Sequence, residues 1–439
     1  MKHIDLSNEL INFINKSASM FHSIDTVQSY LDKEDFIELN EGETWNIEKG
    51  KNYYTTRNGS SIIAFKVGNN LENLHYQISA AHSDSPTYKV KSVPELKGPG
   101  EYLKINIEGY GGMIDSSWFD RPLGLAGRVL VDNGGKVESR LFNIDKDILI
   151  IPNVAIHFNR KINDGYKYNK QVDLIPLFSA GKLKKGAYNE MIAKELEVDA
   201  DDILAKDLYL VNRQEGKVWG YDDEFISSPK LDNLQSTFIG LKAFIEGNND
   251  KSINVYASFD NEEVGSNTKQ GALSTFLKDT LKRINGSLGF NEEDYYKSIA
   301  KSFMISCDNA HAVHPNHPEM TDDENKAFMN KGVVIKESAN QKYTSDAFSQ
   351  GIFKKICKEA DVPVQHFSNR SDAQGGSTLG NLSNIQVSLH QVDIGLAQLA
   401  MHSSYETGGS MDTLYGIKAL TKFYNSNILI DGANKFEIE

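Results

Sequence analysis

The sequence predicts an α/β fold, in which a mixed, largely parallel sheet is flanked by helices and the chain is interrupted by an inserted β-rich domain. Three observations predict it. Apolar runs of strand length alternate with helical segments towards both ends of the chain. The middle instead alternates apolar and polar residues around glycine-rich turns. A length of 439 residues exceeds the ~250–300 at which one hydrophobic core usually stops growing.

Taken in order, the first segment is helical, with Ile11 and Ile14 on one face. SIIAFKV and HYQISAAH have strand length, and the second runs into the turn-forming cluster SDSP. From about residue 93 to 225 the texture changes. YLKINIEGYGGM and AGRVLVDNGGKVESRLF alternate, and Asp132, Asn133, Gly134 and Gly135 between the arms of the latter signal a hairpin. After Pro229 the helix–strand alternation returns. LQSTFIGLKAFIEG and DTLYGIKALTKFYNS read as helices, and INVYASF, SFMISC and NIQVSLH as strands. The expected division is a discontinuous domain of 1–92 plus 226–439 around an insertion of 93–225.

Bulk composition excludes several classes. Hydrophobic residues make up 39% and charged ones 24%, an ordinary globular mixture. The net charge of −13, with no basic stripe interleaved with aromatics, argues against a nucleic-acid partner. No segment reaches the ~20 apolar residues that span a bilayer. The N-terminal stretch interrupts its apolar residues with Asp5, Asn8, Glu9 and Asn12, unlike a signal peptide. Cys307 and Cys357 are too few for a disulfide framework, so a cytoplasmic protein is expected.

The residues that carry chemistry fall at the carboxyl ends of the expected strands, where open α/β sheets place their sites. HYQISAA delivers His82 and Asp84; INVYASF delivers Asp260, Glu262 and Glu263; SFMISC delivers Asp308, with His311 behind it. Asp232 stands just before a helix and His402 follows the run IGLAQLAM. Residues two apart in an extended chain face the same way, so His82 and Asp84 offer a ligand and a nearby carboxylate on one side; alone they read more readily as a surface His beside a turn Asp. Glu262 and Glu263 are adjacent and must diverge, which suits one carboxylate on a metal and one on water, although spacing does not say which is which. Asp232 and Asp308 singly read as cap or turn residues, and His402 alone as a packed or surface histidine. As a set, two histidines and three carboxylates suit zinc, and also cobalt or manganese. His311, His314 and His317 form a superficial rival, but Pro315 and Pro318 break the helix their spacing would need.

With these residues in view, the chain resembles the M18 family of metallopeptidases, the aspartyl aminopeptidase group. The matching segments are AAHSDSP, WFDRPLGLAGRV, IPNVAIHFNR, SPKLDNL, FDNEEVGS, DNAHAVHPN, GVVIK, NRSDAQGGSTLG and AMHSSYE, in family order, with a poorly matched stretch from about 165 to 220. The resemblance implies a catalytic domain of zinc-peptidase type that binds two divalent ions, zinc or else cobalt or manganese. It implies five ligands. Asp232 bridges the ions, His82 and Asp308 complete one site, and Glu263 and His402 complete the other. Glu262 matches the general base and Asp84 the carboxylate that orients His82. His157 matches a histidine sent into the site by a neighbouring subunit of a twelve-subunit assembly, which makes the insertion an oligomerisation domain. Lys336 matches a lysine that reads acidic substrate side chains, whereas Tyr405 stands where many members carry Arg.

The implied activity is hydrolysis of the first residue from peptides with a free N-terminus, acidic or neutral. Two other readings stay open at this point: a dinuclear-metal carboxypeptidase or deacylase of the same broad fold, and a non-catalytic assembly protein, since fold does not entail activity.

Overall fold

The computed structural model describes residues 3–439. The chain forms two compact units, one of Met1–Asp84, Gly216–Met401 and Glu406–Glu439, the other of Ser85–Glu215 with His402–Tyr405. The divisions fall after Asp84 and Glu215, because the first strand of the second unit already begins at Thr87 and its last ends at Asn212.

The first unit is built on a nine-stranded sheet. Its four central strands, Ile253–Phe259, Tyr76–His82, Phe303–Cys307 and His390–Gly395, lie side by side and run parallel. Ser61–Val67 joins one side antiparallel and Val333–Glu337 the other. The strands at the centre are covered on both faces and mostly apolar, with Gln77, Asn254, Gln391 and Asp393 among the buried polar exceptions. Successive residues serve opposite cores: Ile62 and Ala64 pack with the long helices Leu231–Glu246 and Asp412–Asn425, while Ile63 and Phe65 pack with the helix Phe276–Ser287. The N-terminal segment supplies two helices, His3–Lys16 and Met20–Asp32, on the first of these faces. Phe13 meets Phe238 there at 5.5 Å between ring centroids.

NIQVSLH is not a strand. The helix Leu379–Gln386 covers its first residues, and the strand begins only at His390. Its alternation of Ile385, Val387 and Leu389 imitates a strand, but Asn384 closes a turn instead. The Asn384 amide donates to the Leu389 carbonyl (3.2 Å) and its oxygen accepts from the Leu389 N–H (3.0 Å), leaving Ile385 exposed.

A smaller five-stranded sheet in the same unit runs Lys217–Trp219, Phe225–Ser228, Glu406–Gly409, Ala397–Leu399 and Ala310–His311. The second unit is a seven-stranded sheet that closes on itself, because Ile203–Asn212 pairs with both Thr87–Lys97 and Pro122–Asp132. Closure requires Gly127, opposite Leu208, since a Cβ there would strike the Asp207 carbonyl oxygen. The expected hairpin is present, with Asp132 opposite Val137 and the Asp132 carboxylate accepting from the Gly135 N–H at 2.8 Å. Among the described residues, no helix is long and apolar enough to cross a membrane.

Phe238 is fully buried between helices that frame the large sheet. Phe238→Ala should cost about 3–5 kcal/mol, read as a lower urea midpoint with an unchanged native far-UV spectrum. An unchanged midpoint would mean that this contact does not hold the helical layer.

Candidate metal centre

Parallel strands bring their carboxyl ends to one edge of the sheet. Phe259 pairs with His82 across two of them, and Cys307 with Ile394 across two more. The chain leaves these ends with the residues that carry chemistry. After Phe259 it turns through Asn261, whose φ of 62° is tolerated by asparagine, into a short 3-10 turn at Glu262–Val264. The Asn261 side chain is itself fixed, accepting from Thr268 and Gln270 at 2.7 Å each. Asp232 stands in the first turn of the helix Leu231–Glu246 with non-helical backbone angles. That turn is tied to the strand ends: Asn233 donates to the Cys307 carbonyl at 2.9 Å, and Thr237 to the His82 carbonyl at 2.8 Å.

His82, only 1% exposed, is the hinge of the arrangement. Its Nε2 faces Asp232 at 3.6 Å, and Glu262 and Asp308 at 3.9 Å each. Its Nδ1 lies 3.2 Å from the Asp84 carbonyl and 3.4 Å from the Asp84 carboxylate. The same carboxylate accepts the backbone N–H groups of Glu262 and Glu263 at 3.2 Å each. One buried aspartate therefore lies against the imidazole and accepts both N–H groups of the turn that carries the two glutamates.

The electrostatics follow from crowding. Burial works to lower the His82 pKa, but contact with Asp232, Asp308 and Asp84 raises it well above its ordinary value. Glu262 is pushed up to about 8, by burial first, then against relief from His82 by Asp308, Asp84 and Asp232. Glu263 is raised well above the carboxylate range by burial and by Asp232, and Asp260 to about 7 by burial and Asp84.

This donor set fits a divalent cation. His82, Asp232 and Asp308 each offer an atom within 4.8 Å of the other two, and so do His82, Glu262 and Glu263. Ligands of a tetrahedral zinc, bound at ~2.0–2.1 Å, stand ~3.3 Å apart, close to the 3.6 and 3.9 Å found around Nε2. A dication among these acids would offset both the burial and the mutual repulsion that drive their pKa values up.

Comparison with known proteins identifies the chemistry. The family model described as aminopeptidase I zinc metalloprotease (M18) matches residues 13–424. The chain belongs to the M18 family of zinc aminopeptidases. This M18 aminopeptidase is 48% identical over 428 residues to a relative from Clostridium novyi named probable M18 family aminopeptidase 2, covering 96% of this chain and 99% of the relative. The relative of that name from Clostridium acetobutylicum is 44% identical with the same coverage. Among solved structures, a chain of the Ape4 and Nbr1 complex superposes with a TM-score of 0.92 at 34% identity, covering 96% of this chain and 86% of that one. Crystalline yeast aminopeptidase 1 gives 0.85 at 26% identity, covering 96% and 97%.

The other residues expected from sequence are distributed as follows. Lys336 of the M18 chain is buried, 3% exposed in its side chain. Its ammonium donates to the Asp308 carbonyl at 2.7 Å and the Asn309 carbonyl at 3.3 Å, and lies 3.7 Å from the Asp308 carboxylate. His402 and Tyr405 belong to the short stretch grouped with the second unit. There the His402 carbonyl accepts from the Ile114 N–H at 3.0 Å, and the Tyr405 hydroxyl donates to the Glu215 carbonyl at 2.8 Å. His157 is exposed, in the irregular loop that also exposes Val154, Ile156 and Phe158. None of His311, His314 and His317 joins a metal-competent group among the described residues. His311 packs its ring on Phe367, and His317 pairs with Glu319 at 3.1 Å.

Sequence reasoning passed over Glu406 and Asn309. Both are buried beside the candidate ligands, and Glu406 accepts the Asp232 N–H at 2.9 Å. The segments AMHSSYE and DNAHAVHPN contained them, but nothing in their spacing reveals a bond to a residue far along the chain.

Gly395 ends its strand against Asp308, whose carbonyl oxygen a Cβ would strike. Gly395→Ala should therefore displace Asp308 and weaken zinc binding by about 10-fold or more, measured by competition with a chromophoric chelator. Zinc affinity equal to that of the parent would show that the Asp308 backbone has room to give.

Proposed function

We propose that the chain removes the N-terminal residue from peptides with a free amino terminus, using two divalent ions. The observation that carries this reading is the environment of His82, with one nitrogen facing Asp232, Glu262 and Asp308 and the other held by Asp84. Asp232 would be the shared ligand, with His82 and Asp308 on one ion and Glu263 and His402 on the other. The ions, when bound, supply Lewis acidity to the scissile carbonyl and lower the pKa of water.

The chain's own groups do the rest. Glu262 accepts the proton of the attacking water and returns it to the leaving amine. Asp84 keeps the His82 Nε2 turned towards the acids. His157, brought by a neighbouring copy, donates to the oxygen on which charge develops. Support for a contribution from another copy is the loop around it, where Phe158 is 87% exposed and Val154 and Ile156 are also open. The second unit would then be the oligomerisation domain of a homo-oligomer. A structural relative at 26% identity is the mApe1 dodecamer of S. cerevisiae, and a dodecamer is the assembly we propose.

An acidic substrate side chain would meet Lys336, whose ammonium has two of its three N–H groups engaged by the Asp308 and Asn309 carbonyls. Neutral N-terminal residues need no such partner. A panel of Asp, Glu, Leu, Met and Lys aminoacyl reporters, run after chelation and after return of zinc, tests the whole reading. Release should vanish with chelator, return with zinc, and fail when the amino group is acetylated. Preference for acetylated substrates would favour a deacylase, and zinc-independent inactivity a non-catalytic assembly protein.

Glu262→Gln should keep its zinc and its fold while losing on the order of 10²–10⁴ in kcat; near-parental kcat would remove Glu262 from proton transfer. For His157→Phe the expected result is a roughly 10²–10³-fold slower kcat with the assembly intact by light scattering. Unaltered kinetics would make His157 a surface residue.

A further inference from the structure

Behind the candidate ligands lies a buried polar chain that the reaction itself does not use. Glu406, 1% exposed, accepts from the Asp232 N–H at 2.9 Å and from the Gln398 side-chain amide at 3.3 Å. The Gln398 oxygen in turn accepts from the Asn309 amide at 2.7 Å. Asn309, the residue after Asp308, also donates to the Leu231 carbonyl at 3.1 Å and to Gln235 at 3.2 Å, and accepts from Ser236 at 3.1 Å. The chain thus begins on the backbone of Asp232 and ends on the residue beside Asp308.

The small sheet explains why these groups meet. Glu406 pairs with Ser228, four residues before Asp232, and Gln398 pairs with His311, three residues after Asp308. One sheet therefore frames both acidic segments, with its inward polar side chains bridging the gap. A buried carboxylate and two buried amides are costly unless fully hydrogen-bonded, and an aliphatic filling would stabilise the fold more simply. What the polar chain adds is directional: it fixes where two like-charged residues stand relative to each other.

We propose that Glu406, acting through Gln398 and Asn309, is a positioning residue that sets the spacing of Asp232 and Asp308 and thereby the affinity for the divalent cation they share. The inference rests on the metal reading above. It extends the machinery to a sheet that carries no ligand of its own, in the manner of outer groups that orient metal ligands.

The test compares the full-length parent, Glu406→Gln and Gln398→Met, each freed of metal and titrated with zinc against a chromophoric chelator, then loaded with cobalt for visible spectroscopy. Glu406→Gln should bind zinc about 10–100-fold more weakly and shift the cobalt bands, while its metal-free thermal midpoint stays near that of the parent. Gln398→Met, which cannot donate to Glu406, should move affinity and spectrum in the same direction by less. Parental zinc affinity and cobalt bands in both variants would overturn the proposal. So would a lowered metal-free midpoint with an unshifted spectrum, the mark of a purely structural role. If Glu406→Gln does not fold, Gln398→Met decides alone by the same criteria. A parent that takes up no zinc would instead defeat the metal reading itself.

Discussion

Acids that repel one another must be held together before anything can bind between them, and the first unit is organised around that constraint. Asp84, Asp232, Asp260 and Asp308 are all less than a tenth exposed, with Glu262 and Glu263 partly covered beside them. Left to itself, such a group would neutralise by taking up protons, and the raised pKa values of Glu262, Glu263 and Asp260 express that tendency. The protein resists by fixing backbones rather than by pairing each acid with a base. Lys336 is a buried cation at this group, and its ammonium is aimed mainly at carbonyl oxygens. Restraints include backbone N–H groups donated to Asp84 and Glu406 and a side-chain amide that clamps a strand end. The sheet supplies the frame for them, because four parallel strands deliver their ends to one edge.

Much of this was legible in the sequence, for a physical reason. A strand buried on both faces is written as a mostly apolar run, nearly free of acids and lysines, so its end is visible as the place where charge begins. HYQISAAH and INVYASF announced His82 and Glu262–Glu263 in this way, and SFMISC announced Asp308. The long helix through LQSTFIGLKAFIEG was equally plain, since its apolar residues recur with helical spacing. NIQVSLH misled because a two-residue alternation in so short a run fits a helix terminus as well as a strand, and the Asn384 turn that decides it is a side-chain event.

The restraining groups were not legible. Glu406 and Asp232 are 174 residues apart, and Asn309 reaches Leu231 across 78. Such bonds leave no periodicity and no local composition, so a buried glutamate after SSY looks like any surface glutamate. The burial of Lys336 was hidden likewise. A lysine in GVVIK has the same letters whether its ammonium reaches solvent or is folded back on a neighbouring strand end. The exposed loop around His157 carries the opposite message: Ile156 and Phe158 would read as core residues, yet the isolated chain leaves them open.

Asp84 meets two neighbours with one carboxyl group, lying 3.4 Å from the imidazole of His82 and accepting the amides of Glu262 and Glu263. Damage there cannot stay local. A substitution at this position and another at either glutamate draw on the same restraint, so their effects should fail to sum. The double replacement would cost less than its parts, and kinetic losses measured one residue at a time would overstate how many independent supports the catalyst possesses.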